Sequence, residues 1–470
     1  MPNPFLPLTE YVPDGEPHVF GDRVYLYGSH DAANSTRFCV GNYTVWSASV
    51  NDLSKWTCHG VTYRKEQDPR SRPGKEVDFY APDCVQGPDG KYYLYYFAAG
   101  PNTEPFGPMS VAVSGRPEGP FDYYGDICYP DGSPVLDFLT NDPAVLNDSG
   151  RIWLYYGWGL GRDFRNPLLQ PLYRLVLSKL CNRKAETVRS AKSSILSCAC
   201  VELESDMKTV KGRPKAVLDS RTTAGKESAL YEHPFYEAAS IRKFDGLYYL
   251  IYSSGRNNEL AYATSKYPDR DFDFRGVIVS NSDLGYQGNT QRKNHSGTIH
   301  GSIERIVGRC YVFYHRCTNN TDFSRQACAE PVQILPDGTI EQVEITSQGM
   351  DPCPLAGQGT YSAAVCCQLI TRGQVRLGVG RQQSLPRITQ KDDTVYLADC
   401  TAGTRAVYKY FDLSRTRSIR INYQGTAVIT VNGHRLDGNG TAPVSGGAKE
   451  SLTLEVLSGK ADIVSFTLSD

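Results

Sequence analysis

The chain has 470 residues and a formal net charge of −1, which speaks against a nucleic-acid polyanion as partner. No apolar run approaches the roughly 18 residues of a membrane span, and the length points to two domains. Tyr at 31, Gly at 43 and Pro at 28 favour many short strands and turns over helices. The opening MPNPFLPLTEY carries no basic segment followed by an apolar one, so a cytoplasmic, bacterial-type protein is expected. The 14 cysteines include no CxxC pair and read as reduced, buried thiols.

One aromatic phrase recurs along the chain: RVYLY at 23–27, KYYLYY at 91–96, RIWLYY at 151–156, LYYLIY at 247–252 and RCYVFY at 309–314. Each follows a Gly-containing corner, and Asp-Gly and Ser-Gly corners are hairpin chemistry. The segments before the corners open at Glu16, Ala81, Asp142, Glu237 and His300. Third strands are expected at 44–50, 109–115, 259–265 and 325–331, and a fourth in the last unit at 339–345. Residues 178–212 lengthen one interval and read as an irregular excursion from the third unit that ends in a returning strand. Five units of about four antiparallel strands predict an all-β fold, a five-bladed β-propeller over residues 1–348. The aromatic strands then fill the wedges between blades.

In such a ring the first strand of each blade lines the channel, so the residues that open the units meet at one mouth. They are Asp14, Glu16, Asp83, Asp142, Glu237 and His300. Two carboxyl groups across a sugar bond are the requirement of glycoside hydrolysis, one protonated and one ionised. Crowded carboxyl groups split their pKa values because like charges cannot all ionise cheaply. Tyr80, Trp158 and Arg256 are candidate substrate contacts, the two aromatics as stacking surfaces for sugar faces. Glu232 reads as a loop acid, and His315 and Arg316 as packing and ion-pairing groups of the last blade.

Four stretches resemble glycoside hydrolase family 43, a group of five-bladed α-L-arabinofuranosidases, β-xylosidases and arabinanases. They are NPFLPLTEYVPDGEPHVFGDRVYLY, NDPAVLNDSGRIWLYYG, FYEAASIRKFDGLYYLIYSS and HGSIERIVGRCYVFYHR, in the family's order over residues 3 to 346. The resemblance implies a general base in the first blade, at Asp14 by spacing or at Glu16, whose Glu-Pro mimics the family's Asp-Pro. It implies Asp142 as the carboxylate that orients the acid and adjusts its pKa, and Glu237 as the general acid. Gly15 stands where the family has Pro, and Tyr80 where it has Trp. Asp83 is read as structural or substrate-contacting. The resemblance also implies a structural Ca²⁺ near His300, largely water-ligated because a hard cation prefers oxygen; the chemistry itself calls on no cofactor.

From residue 349 the repeat stops. Alternating segments at 395–400, 406–413, 418–425, 426–436, 451–459 and 461–469 predict a β-sandwich of jelly-roll type over 349–470. AVYKYFDL and DIVSFTLS resemble carbohydrate-binding module family 6, and the domain serves as support or binds sugar. The whole reads as an inverting, exo-acting glycosidase for arabinofuranosyl or xylosyl residues of oligosaccharides or polysaccharides. The alternatives are an endo-acting arabinanase, a catalytically silent sugar-binding propeller and an interaction scaffold. The last two predict no pocket in which the acids converge.

Overall fold

The computed structural model describes residues 2–159, 170–180, 195–255, 258–295, 297–372 and 385–470. Each aromatic repeat is the second strand of an antiparallel sheet. Blade one holds β1 (Glu16–Phe20), β2 (Arg23–Tyr27), β3 (Tyr43–Ser49) and β4 (Asp52–Tyr63). Blade two holds β5 (Asp78–Gln86), β6 (Tyr92–Ala99), β7 (Ser110–Ser114) and β8 (Asp122–Asp126). Blade three holds β9 (Ala144–Asp148), β10 (Arg151–Gly157), β11 (Ser197–Leu203) and β12 (Lys215–Asp219), with helix α1 (Gln170–Leu180) between β10 and β11. Blade four holds β13 (Phe235–Phe244), β14 (Leu247–Ser254), β15 (Glu259–Ser265) and β16 (Asp273–Ser280). Blade five holds β17 (Ser302–Ile306), β18 (Arg309–Cys317) and β19 (Arg325–Val332).

The inner strands neighbour one another in the cyclic order β1, β5, β9, β13, β17 and back to β1, which closes the ring. The corners Ser149–Gly150, Asp245–Gly246 and Val307–Gly308 have positive φ at both residues, the type I′ geometry whose twist matches the flanking strands. Strand alternation then explains the aromatics. On β6, Tyr93 and Tyr95 enter the core shared with blade three, while Leu94 and Tyr96 enter the core shared with blade one. The other three wedges are filled the same way. Burial on both faces is therefore what requires an apolar or aromatic residue at nearly every position of these strands.

One expectation changes. Residues 339–345 form no fourth strand of blade five: Val343 bridges in parallel to Val279 at the end of β16. The outer flank of β19 is taken instead by the N-terminal segment, where Phe5 N donates to Ala327 O at 3.3 Å and Asn3 exchanges hydrogen bonds with Ala329 at 3.0 Å. The stretch 178–212 ends in the returning strand expected of it, β11, which is blade three's third strand.

The remaining strands form the β-sandwich: β20 (Leu355–Ala356), β21 (Gly359–Ser362), β22 (Gln368–Thr371), β23 (Arg387–Lys391), β24 (Thr394–Thr401), β25 (Thr404–Asp412), β26 (Ser418–Gly425), β27 (Val428–Val431), β28 (His434–Arg435), β29 (Thr441–Pro443), β30 (Glu450–Ser458) and β31 (Lys460–Ser469). One sheet runs β20-β25-β30-β27-β28 with β22 also on β25; the other runs β23-β24-β31-β26-β29 with β21 also on β31. Their facing apolar residues, among them Leu397, Tyr408, Phe411 and Phe466, make one core. Arg316, expected to pair with an acid, instead donates to Ala364 O at 2.8 Å and Cys366 O at 3.0 Å, tying blade five to the sandwich. No helix among the described residues is long and apolar enough to cross a membrane.

Candidate active site

At one mouth of the channel a pocket of about 490 Å³ is lined by Asp14, Asp142, Glu237, His300 and Arg325. Asp14, Asp142 and His300 sit just before β1, β9 and β17. Glu237 lies within β13, where the register against β14 shifts on both sides of it; such a bulge re-aims a side chain. Asp14, Asp142 and Ala238 all have φ between 47° and 65°. Backbone in that region costs about 1–3 kcal/mol per non-glycine residue and is held only where the surroundings over-determine it.

The two acids that face each other electrostatically live in different environments. Asp14 is buried, which opposes ionisation, but Arg325, His300, His315 and the Ser29 hydroxyl outweigh this and hold its pKa below the usual range. Arg325 Nη1 donates to Asp14 Oδ1 at 2.8 Å, while its Nε and Nη2 are held by Asp31 at 2.8 and 3.1 Å. The Phe38 ring lies 4.8 Å from the same guanidinium. Glu237 is pushed up to about 7, by burial first and by the charge of Asp14 second. The Trp158 indole, which also lines the pocket, opposes part of that rise. Asp142 accepts from Ala238 N at 2.8 Å, and burial together with Glu237 and Asp14 raises its pKa well above the ordinary value.

The structure thus brings together Asp14, Asp142, Glu237, Tyr80, Trp158 and His300. Glu16 is not among the lining residues; it lies in the channel with Arg242 Nη2 at 2.8 Å and the Ser240 hydroxyl at 3.0 Å. Asp83 is fully buried and structural, accepting from Val145 N at 2.7 Å and pairing with His18 at 2.6 Å. Glu232 is exposed and off the pocket. Arg256 lies outside the described residues.

Sequence reading missed Arg325, Asp31, and the aromatic wall of Phe38, Phe97 and Phe106. His315, read as a packing and ion-pairing group, does stand 3.4 Å from Asp14 Oδ1; its Nδ1 also accepts from Asp14 N at 3.4 Å and its Nε2 faces Thr298 O at 3.0 Å. The usable signal was chemical: a buried carboxylate that must stay ionised needs a fixed cation, and Arg325 opens a third strand.

The profile of glycosyl hydrolases family 43 matches residues 1–340. Over 440 residues the chain is 39% identical to a xylosidase/arabinosidase of Thermoclostridium stercorarium, covering 90% of this chain and 85% of that protein. A structure of a family 43 β-xylosidase/α-arabinofuranosidase from a compost microbial metagenome, in complex with xylotriose, matches with a TM-score of 0.54 and 26% identity. It covers 73% of this chain and 97% of that one. An arabinoxylan arabinofuranohydrolase of Bacillus subtilis, at 19% identity and a TM-score of 0.52, covers 100% of this chain and 94% of its own, and shows that the fold extends through the sandwich. A ring of five blades, acids converging at its mouth and a profile match over nearly the whole ring lead to one conclusion: the chain belongs to glycosyl hydrolase family 43, and it is a glycosidase.

Proposed function

We propose that the protein releases terminal β-D-xylosyl or α-L-arabinofuranosyl residues from oligosaccharides by single displacement with inversion. The observation that carries this reading is the contrast within one pocket, where Arg325 keeps Asp14 ionised and burial keeps Glu237 protonated up to about pH 7. The relative named xylosidase/arabinosidase and the neighbour solved with xylotriose support the sugar class.

Asp14 takes a proton from water as its oxygen attacks the anomeric carbon. Glu237 gives its proton to the glycosidic oxygen as that bond breaks, and proton exchange with solvent resets both groups. Asp142 fixes the peptide that follows Glu237. Tyr80 and Trp158 offer apolar faces to sugar rings.

A calcium ion fits the channel beneath the pocket. His300 Nε2 and Glu16 Oε1 are buried, face each other at 3.9 Å and have no hydrogen-bond partner among the described residues. These two residues would hold it with water, and its charge would supply electrostatic support to the acids above.

Initial rates on aryl β-D-xyloside, α-L-arabinofuranoside, β-D-galactoside and α-L-arabinopyranoside, wild type beside Glu237→Ala, test the reading. Cleavage of a xyloside or arabinofuranoside is expected, and it falls in the variant the more steeply the poorer the leaving group. Folded wild-type protein that cleaves none, or that cuts only inside arabinan or xylan chains, overturns it.

A further inference from the structure

Away from the pocket, three side chains of unlike chemistry meet behind its wall. His295, Cys317 at the end of β18 and Asp322 in the β18–β19 loop each offer a ligand atom, and these atoms lie within 4.8 Å of one another. Their exposures are 8%, 8% and 1%. A hydrogen bond of 2.7 Å between His295 Nε2 and Asp322 Oδ1 accounts for part of the cluster. It leaves His295 Nδ1 buried with no hydrogen-bond partner among the described residues, and a buried polar atom without a partner is unfavourable. Cys317 Sγ has only a long contact of 3.8 Å to Thr298 O.

The space between these groups is kept open by the chain itself. A Cβ at Gly297 would stand 2.2 Å from Asp322 Oδ1 and 3.0 Å from Cys317 Sγ, so any side chain there would fill it. A cavity of about 30 Å³ adjoins His295 and Cys317, room for a water molecule as a further ligand. Imidazole, thiolate and carboxylate together suit a borderline-soft divalent cation rather than calcium or magnesium.

We propose that His295, Cys317 and Asp322 bind a zinc-class divalent cation that staples the segment leading into the pocket onto blade five. That segment runs from Asn294, whose side chain accepts from Leu369 N of the sandwich at 2.9 Å, to Thr298, Ile299 and His300, which line the pocket. On loading, the cation displaces the thiol proton of Cys317, which leaves to solvent, and replaces the proton that His295 Nε2 shares with Asp322, while His295 Nδ1 takes one up from solvent, so that one proton is released overall. The site is separate from the channel position beside His300 and differs from it in carrying sulfur.

The test is cobalt(II) titration of full-length protein stripped with a chelator, read by absorption. A thiolate-to-cobalt charge-transfer band that saturates at one equivalent and is displaced by zinc is expected. The band is absent in Cys317→Ser and present in Cys58→Ser, whose thiol is exposed. Asp322→Asn weakens cobalt affinity at least tenfold, and zinc raises the melting temperature of the wild type and of Cys58→Ser but not of Cys317→Ser. Folded wild type without such a band, or a band that persists in Cys317→Ser, overturns the proposal. If Cys317→Ser does not fold, Asp322→Asn carries the comparison, and unchanged affinity in it overturns the proposal equally.

Discussion

Ala238 N donates to Asp142 Oδ2 at 2.8 Å, so the carboxylate that opens blade three holds the peptide immediately after Glu237 in blade four. The bond crosses between blades and fixes a residue whose φ is 65°. Asp142→Asn keeps an acceptor for this N–H and Asp142→Ala does not. With an unsatisfied buried N–H worth about 1–3 kcal/mol, kcat/KM of Asp142→Ala is expected about tenfold or more below that of Asp142→Asn. Equal losses in the two variants would assign Asp142 a purely electrostatic part.

The pH dependence follows from the two environments. Glu237 works with its proton on, so kcat/KM falls as pH rises through about 7. Asp14 works ionised, and its pKa is lowered, so the acid limb lies below the ordinary carboxylate range. Glu237 and Asp142 interact, so the basic limb reports the pair. Replacing Arg325 by Met removes the cation that holds Asp14 ionised and moves the acid limb upward. A limb that stays in place in Arg325→Met would falsify the assignment of Asp14 as the base.

The leaving group separates the two acids. Glu237→Ala is expected to lose about 10²–10⁴ in kcat/KM on alkyl glycosides and natural oligosaccharides, and far less on nitrophenyl glycosides, which need little protonation. Asp14→Asn is expected to lose about 10²–10⁴ on both kinds of substrate, because water still has to be activated. Rates measured across a series of aryl leaving groups check this: a flat series for Glu237→Ala argues against its role as acid.

Inversion is checked by proton NMR of the first product formed. The expected outcome is the anomer opposite to the substrate's, seen before mutarotation. Retention would mean that one carboxylate attacks the sugar directly.

Arg316, braced by Gln326 within blade five, joins the propeller to the sandwich through Ala364 O and Cys366 O. Arg316→Met strands these buried acceptors and is expected to destabilise the protein by on the order of 3 kcal/mol. Calorimetry should show a lower melting temperature, with the sandwich and the propeller melting apart. A single unshifted transition would show that the two halves are held together by other contacts.

The aromatic repeat made the ring legible, because strands buried on both faces must be apolar at nearly every position, and the phase of the repeat located Asp14, Asp142, Glu237 and His300. What escaped depends on neighbours far apart in the chain. Arg325 acquires its role from Asp31, 294 residues away, and no local pattern marks either. Trp158 was readable as a sugar-stacking wall, but its place beside Glu237 exists only because blades three and four are adjacent. The flank of β19 was obscured because a segment from the other end of the chain occupies it.

That last arrangement sets an order of assembly. Asn3 and Ala329 are 326 residues apart, so the segment around Asn3 is made long before its partner strand exists. Until then the growing array of blades ends in two unmatched apolar faces: Val24, Leu26 and Trp46 at one end, and at the other the blade made last. Only when Tyr311 and Phe313 arrive can the first face be covered. Contacts of such long sequence separation form slowly, and exposed wedges invite association between nascent chains. The seam between the first and fifth blades is therefore where chaperones have the most to shield, and where a fusion at the amino terminus would do the most harm.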